Sequence, residues 1–376
     1  MHTDPFLGVA VHSIGAFSAA SCYTPQKQTR LWSWEIYWIS QATFAWVILP
    51  ILIAFLTIPD YADLLRNCPP EVMLRSFSLG IVYGIGGLTF GLGIRYIGFS
   101  LNYAIAIGIS AGLGTILPLI WHPNDGFVWK LKETFNDVPG LIILAGIVLS
   151  WGGILFCGWA GALREKSGGD APSRYSFRLG VPLAIVAGAF SAVFNFALLA
   201  GDPLAKAAEG RTELLNMNAI YPFSHGGAWV TSFVCCLFLI WKNQSGSQFV
   251  RLPDASSKRL SFYYLMALLS GAFWYFQFFF YGIAENFIGE KYEFTSWGLH
   301  MALLILFSNV YGTVFREWEG ADKTPRRVLH AGMAIIVVAT SLIAYGNHRG
   351  KELGPEKPVE TTRYELNITP PPGAFS

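Results

Sequence analysis

GAFSA stands at Gly15–Ala19 and again at Gly188–Ala192, nearly half the 376-residue chain apart. Five small or apolar residues can recur by chance, or they can mark an internal duplication. The surroundings of each copy decide between the two. Each begins about ten residues into an apolar, charge-free stretch of roughly 20 residues, the length that crosses a ~30 Å hydrocarbon core. Such stretches recur ten times, at 6–24, 36–58, 74–95, 99–121, 139–162, 178–202, 217–241, 261–286, 294–316 and 326–346. GAFSA therefore sits at matching places in the first and sixth. A second rhyme supports the first: GIRYIG at 93–98 and GIAENFIG at 282–289 close the third and eighth.

Composition agrees with a chain that lives in lipid. It is 53% hydrophobic and 13% charged, about half the charge of a soluble domain. The 15% aromatic content suits interfacial belts. Unpaired backbone groups cost several kcal/mol in hydrocarbon, so the spans are expected to be helices. The fold expected is thus an all-α polytopic membrane protein of ten transmembrane helices. Five helices per half is an odd number, so the two halves insert in opposite senses as inverted repeats. That architecture is common in secondary transporters. The division expected is 1–170 for the first five-helix repeat, 171–346 for the second, and a polar, Pro-rich, disordered tail over 347–376. The third and fourth spans, joined by 96–98 alone, are expected to form a tight antiparallel pair.

Connections after odd-numbered spans hold about twice the lysine and arginine of the others, with Arg164, Lys166, Arg174 and Arg178 after the fifth alone. The positive-inside rule places these in the cytoplasm and both termini outside. The opening MHTDPF has no basic region of a cleavable signal, so the first span is expected to remain. Cys22, Cys68, Cys157, Cys235 and Cys236 show no metal spacing, and no disulfide is expected. No basic patch with interleaved aromatics points to nucleic acid. There is no HExxH, no acidic cluster and no Ser/His/Asp grouping, which argues against a membrane enzyme.

Every charged residue falls in a connection, in the tail or near a span end. A carboxylate relay in mid-membrane is therefore not expected, nor a fixed charge for an ionic substrate. The polar groups left inside are His12, Gln41, Asn102, Asn195, His225, Gln277, His300 and Asn309. His12, His225 and His300 each lie roughly six residues past the outer end of their span, or about 9 Å deep at ~1.5 Å per residue. Amide and imidazole groups for hydroxyls, with tryptophan faces for C–H surfaces, suit a neutral sugar. Imidazole also changes charge near neutral pH, which suits proton coupling. Gln277, the one amide in WYFQFFFYG, reads as a site residue. His225, in SHGG, reads as an interhelical hydrogen-bonding residue, and Glu35, in WSWE, as an interfacial anchor. Gly80/Gly84, Gly87/Gly91 and Gly108/Gly112 read as packing motifs.

The stretch GVAVHSIGAFSAASCYTPQKQTRLWSWEIYW at 8–38 resembles the opening of the L-rhamnose–proton symporter family. So do IRYIGFS at 94–100, AIAIGI at 104–109, WYFQFFFYG at 274–282, YEFTSWGLHM at 292–301 and REWEGA at 316–321. The resemblance covers nearly the whole chain apart from the tail and some loops such as 122–138. It implies membership of the drug/metabolite transporter superfamily and uptake of L-rhamnose with a proton across a bacterial inner membrane, with no other cofactor and no metal. Carried over by motif, it touches His12, Tyr23, Lys27, Trp32, Trp34, Glu35, Arg95, Trp274, Gln277, Tyr281, Trp297, His300 and Trp318. The reading of the site is then that Gln277, Trp274, Tyr281, Trp297, Asn195 and His300 bind sugar. His12 or His300 takes the proton, with Glu35 as the remaining candidate. Another deoxyhexose, a pentose or a small metabolite stays open as the substrate.

Overall fold

The computed structural model describes residues 4–22, 24–97, 99–168, 176–252, 257–288, 290–315, 318–319 and 321–352. Among them ten helices are long and apolar enough to cross a membrane. They are α1 (Pro5–Ser21), α2 (Trp34–Thr57), α3 (Pro70–Ile97), α4 (Phe99–Ile116), α5 (Val138–Gly168), α6 (Phe177–Glu209), α7 (Tyr221–Asn243), α8 (Ser257–Glu285), α9 (Thr295–Val314) and α10 (Lys323–Glu352). α6 and α10 run several residues past the ends of their apolar stretches, because the helical hydrogen-bond ladder continues into water where charged side chains are solvated. The helix therefore takes up 347–352, and 353–376 and Tyr23 lie outside the described residues.

Local chemistry sets the helix starts. Asp4 caps α1, accepting from the N–H groups of Phe6 and Leu7 at 3.2 and 3.3 Å, with Pro5 in the first turn. That satisfies N-terminal groups that would otherwise be bare at the membrane edge. α2 contains one π turn, Phe44–Ile48, just before Pro50. The five cysteines are all free.

Packing follows small residues. α5 lies along α10, α3 along α6 and α7, and α1 along α8 and α9. α4 packs on α6, α5 and α9, and α2 packs on α7 and α8. Gly80 and Gly84 of α3 meet α7 directly, at the Ser224 carbonyl and at Thr231. A Cβ on Gly87 would have no neighbour within 4 Å, one on Gly108 only Ile154, at 3.7 Å, and one on Gly112 the Trp151 ring, at 3.4 Å. Of these glycines, Gly80 and Gly84 make the close helix contacts. The α3–α4 pair is looser than its short link suggests. Asn102 Nδ2 donates to the Phe90 carbonyl across it at 3.1 Å, but glycines on α3 draw that helix to α6 and α7 instead. Large apolar side chains such as Leu52 and Phe55 on α2, Leu155 on α5 and Leu237 on α7 point outward, as lipid contact requires.

Among the described residues, strand pairing occurs at the start of the 122–138 segment. Trp121–His122 pairs antiparallel with Gly126–Phe127, with Gly126 at φ 77°. Asn124 Nδ2 pins this hairpin to α6 through the Leu199 carbonyl, at 2.8 Å. Beyond it, Asp137 meets Lys291 at 2.9 Å, joining the connection before α5 to the one before α9. Burial opposes the Asp137 charge, but the Lys291 ammonium and the Gly140 N–H outweigh it and hold the carboxyl below its usual range.

Candidate functional site

α8 organises the site. Trp274, Gln277, Tyr281 and Glu285 follow at spacings of three and four, so they share one face of the helix. α1 crosses that face at its first GAFSA. A Cβ on Gly15 would stand 2.8 Å from the Gln277 carbonyl oxygen, 3.3 Å from the Phe280 Cβ and 3.4 Å from the His300 ring. One turn on, Ser18 Oγ donates to the Phe273 carbonyl at 2.8 Å. The small residues of GAFSA thus bring α1 within hydrogen-bonding reach of α8 and beside α9.

That close approach gathers side chains from three helices. The rings of His12 (α1) and His300 (α9) are 5.8 Å apart, and Tyr281 (α8) lies 5.2 Å from one and 5.5 Å from the other. Trp297 meets Tyr281 edge-on at 6.2 Å. His12 and His300 are 0% exposed and Gln277 2%. Neither nitrogen of either imidazole has a hydrogen-bond partner among the described residues, nor has Gln277 Nε2. Each buried unpaired polar group costs about 1–3 kcal/mol. Five such atoms in one place make an expensive packing motif, and a good site for something rich in hydroxyls.

The remaining expected site residues lie elsewhere. Trp274 is two turns before Tyr281, toward the N-terminal end of α8, about 10 Å along the axis. There it joins Trp46 at 6.0 Å in a second aromatic group with Trp38, Trp229 and Tyr83. Trp229 donates to Thr43 Oγ1 at 3.0 Å. Asn195, one turn after the second GAFSA, donates to the Gly114 carbonyl of α4 at 2.8 Å. Trp297 likewise donates to the Ser110 carbonyl of α4 at 3.1 Å, so its indole N–H is engaged. Glu35 stands in the first turn of α2, beyond the C-terminal end of the helix that carries His12. Its Oε1 accepts from Asn243 Nδ2 at 3.0 Å and Ser245 Oγ at 2.7 Å, tying the start of α2 to the end of α7. His225 faces the other side of α8, with Phe194, Phe278 and Tyr221 at 4.9–5.2 Å. It is part of an aromatic core and not of the His12–His300 group.

Glu285 was not among the expected site residues, since it ends an apolar stretch. Yet Tyr281 Oη donates to its Oε1 at 3.4 Å, and its Oε2 is buried without a partner among the described residues. The spacing of four from Tyr281 was the signal: on a helix it puts the carboxyl directly over the ring.

Ten apolar spans among the described residues, around a buried group whose imidazole and amide nitrogens have no partner there, define a multi-pass helical membrane protein. Residues 1–348 match the model of the L-rhamnose-proton symport protein (RhaT) family, and the chain belongs to that family. An L-rhamnose-proton symporter of Mannheimia succiniciproducens is 32% identical over 342 residues, covering 90% of this chain and 97% of the relative. One from Pectobacterium atrosepticum is 32% identical over 348 residues, covering 92% and 99%. One from Escherichia coli is 32% identical over 343 residues, covering 90% and 97%.

Proposed function

We propose that the protein carries L-rhamnose together with a proton across a bacterial inner membrane, into the cell. The observation that carries this reading is end-to-end similarity to relatives named L-rhamnose-proton symporters, joined to a buried group that suits a deoxy sugar. Gln277 and His300 offer hydroxyl partners, with Tyr281 and Trp297 beside them as aromatic walls for the apolar side of the ring and its methyl group. Trp274 extends that wall toward the cytoplasm, and Asn195 holds α4 against α6 behind it. The proton enters the same group, where His12 and His300 can take it on. The lysine and arginine pattern puts both termini in the periplasm.

The inverted-repeat reading has support in the packing. Exchanging each helix with the one five places on turns α1–α8 into α6–α3, α1–α9 into α6–α4 and α2–α8 into α7–α3; each member of these pairs is a contact of the bundle. Both GAFSA glycines do the same job. Gly15 abuts the Gln277 carbonyl of α8, and a Cβ on Gly188 would stand 2.6 Å from the Ala106 carbonyl of α4. Two such units of opposite sense provide outward- and inward-open states around one site. Coupling then requires that sugar and proton each raise the other's affinity.

Adding L-rhamnose to de-energised, lightly buffered cells that express the protein is expected to turn the medium alkaline, with no shift for L-fucose or D-glucose. A response to another deoxyhexose or a pentose in place of L-rhamnose would move the substrate assignment. No shift with any sugar, at normal membrane expression, overturns it.

Glu35, engaged by two donors, belongs to the cytoplasmic framework in this reading. Glu35→Gln is expected to lower stability by about 1 kcal/mol, the scale of a weakened hydrogen bond, with coupled accumulation kept. Loss of accumulation with exchange intact would return Glu35 to the proton path.

A further inference from the structure

We propose that Glu285 is the residue that binds the coupled proton, with Tyr281 as the link between it and the His12–His300 pair. The inference rests on the symport reading and adds a residue and a route to it.

Glu285 closes the polar stripe of α8 at its outer end. One carboxyl oxygen is held by the Tyr281 hydroxyl at 3.4 Å; the other, Oε2, is buried with no partner among the described residues. A carboxylate in that position needs a cation, a set of donors or a proton. The surroundings supply neither of the first two. Among the described residues no lysine or arginine lies within ion-pair distance of it. The charges it feels most are those of Glu293, ahead of α9, and Asp202, on α6, both negative. The neighbouring lysines are directed elsewhere: Lys206 to Asp202 at 2.7 Å and Lys291 to Asp137 at 2.9 Å. From α7 the group that faces it is the Tyr221 phenol, whose hydroxyl donates to the Phe278 carbonyl. A carboxylate whose buried oxygen has neither donor nor cation beside it is relieved by taking up one proton.

Position makes this more than a quiet buried acid. Tyr281 touches Glu285 with its hydroxyl and both imidazoles with its ring. Protonated Glu285 is neutral and can donate through Oε2, and the Tyr281 hydroxyl can then turn from Oε1 toward a sugar hydroxyl between the imidazoles. Ionised Glu285 draws the same hydroxyl back. The proton's arrival therefore changes what the sugar site offers, which is the reciprocal linkage that symport requires. No bond other than O–H forms or breaks: a proton from outside water joins a carboxylate oxygen, and it leaves as the carboxylate is restored on the inner side of the cycle.

The test uses the full chain purified into proteoliposomes, with L-rhamnose counterflow and proton-gradient-driven accumulation read in parallel. Glu285→Gln is expected to keep counterflow within about threefold of wild type, to lose accumulation, and to make counterflow less dependent on pH than that of the wild-type protein. Glu285→Asp is expected to restore accumulation with a displaced pH profile. The proposal is overturned if Glu285→Gln still accumulates L-rhamnose, or if it loses counterflow while inserted at normal level. Should that variant not insert, Glu285→Asp decides alone, an unchanged pH profile refuting the assignment and a displaced one supporting it. A wild-type protein without L-rhamnose counterflow strikes the substrate reading instead. The infrared band of a protonated carboxyl, present in wild type and absent in Glu285→Gln, then tests Glu285 without any sugar.

Discussion

Gly15→Leu is expected to abolish uptake of L-rhamnose, whereas Gly87→Leu leaves it within about twofold of wild type, the scale of an unconstrained surface change. The two glycines look alike in the sequence, each in a small-residue stretch of an apolar helix. Their surroundings are opposite. At Gly15 even a methyl group would stand 2.8 Å from the Gln277 carbonyl oxygen. A leucine there must push α1 off α8, because backbone cannot step aside as a flexible side chain can. Overpacking of this kind costs about 1–3 kcal/mol or more. The larger effect is geometric: the same displacement parts His12 from Tyr281 and His300. At Gly87 there is nothing within 4 Å, and the new side chain enters lipid. Transport by both variants at matched membrane levels checks the pair. Normal uptake by Gly15→Leu would mean that α1 and α8 do not meet as described.

His12→Phe and His300→Phe are expected to act in opposite directions on function and stability. Each replaces a ring by one of similar shape and removes two nitrogens that have no hydrogen-bond partner among the described residues. Removing such a burden stabilises the fold by about 1 kcal/mol or more for each ring, since an unsatisfied buried group costs about 1–3. Melting temperature in detergent is therefore expected to rise. Half-saturation for L-rhamnose rises about tenfold or more for His300→Phe, because a lost hydroxyl partner is worth about 1.4 kcal/mol per factor of ten. A structural histidine behaves in the reverse way, its loss lowering the melting temperature with substrate affinity unchanged. A fall in melting temperature for both variants would reassign the pair to packing.

The ten spans were legible because length and hydropathy suffice for a helix in lipid. The common depth of His12 and His300 could be read from the rise per residue alone. Rotation about the helix axis could not. His225 shares that depth, yet it faces Phe278 on the far side of α8, since which way a side chain points depends on the neighbour its helix finds. Asn195 and Trp297 illustrate the same gap: both are polar and internal, and their N–H groups are engaged by α4 carbonyls. Glu285 was hidden by its place at the end of an apolar stretch, where charge is ordinary. Only the packing of α1, at Gly8 against Ala284, and of Met217 and Tyr221, at Gly282, encloses that end. The early close of the apolar signal in α6 and α10 has a simpler cause, since hydropathy reports the membrane and not the end of the hydrogen-bonded helix.

The π turn of α2 divides that helix into two lengths with separate phase. One extra residue in a turn rotates everything beyond it by about 100° relative to an unbroken α-helix. Glu35 and Trp38 precede the insertion and Pro50 and Ala54 follow it, so the N-terminal length is aimed by its bonds to α7 while the C-terminal length is aimed by its own contacts. α2 is in effect a two-part shaft with a coupling at Phe44–Ile48, against which Gly271 of α8 is seated: a Cβ there would stand 2.9 Å from Phe44 Cβ. A rotation begun at one face of the membrane can be absorbed at that joint without being transmitted to the other.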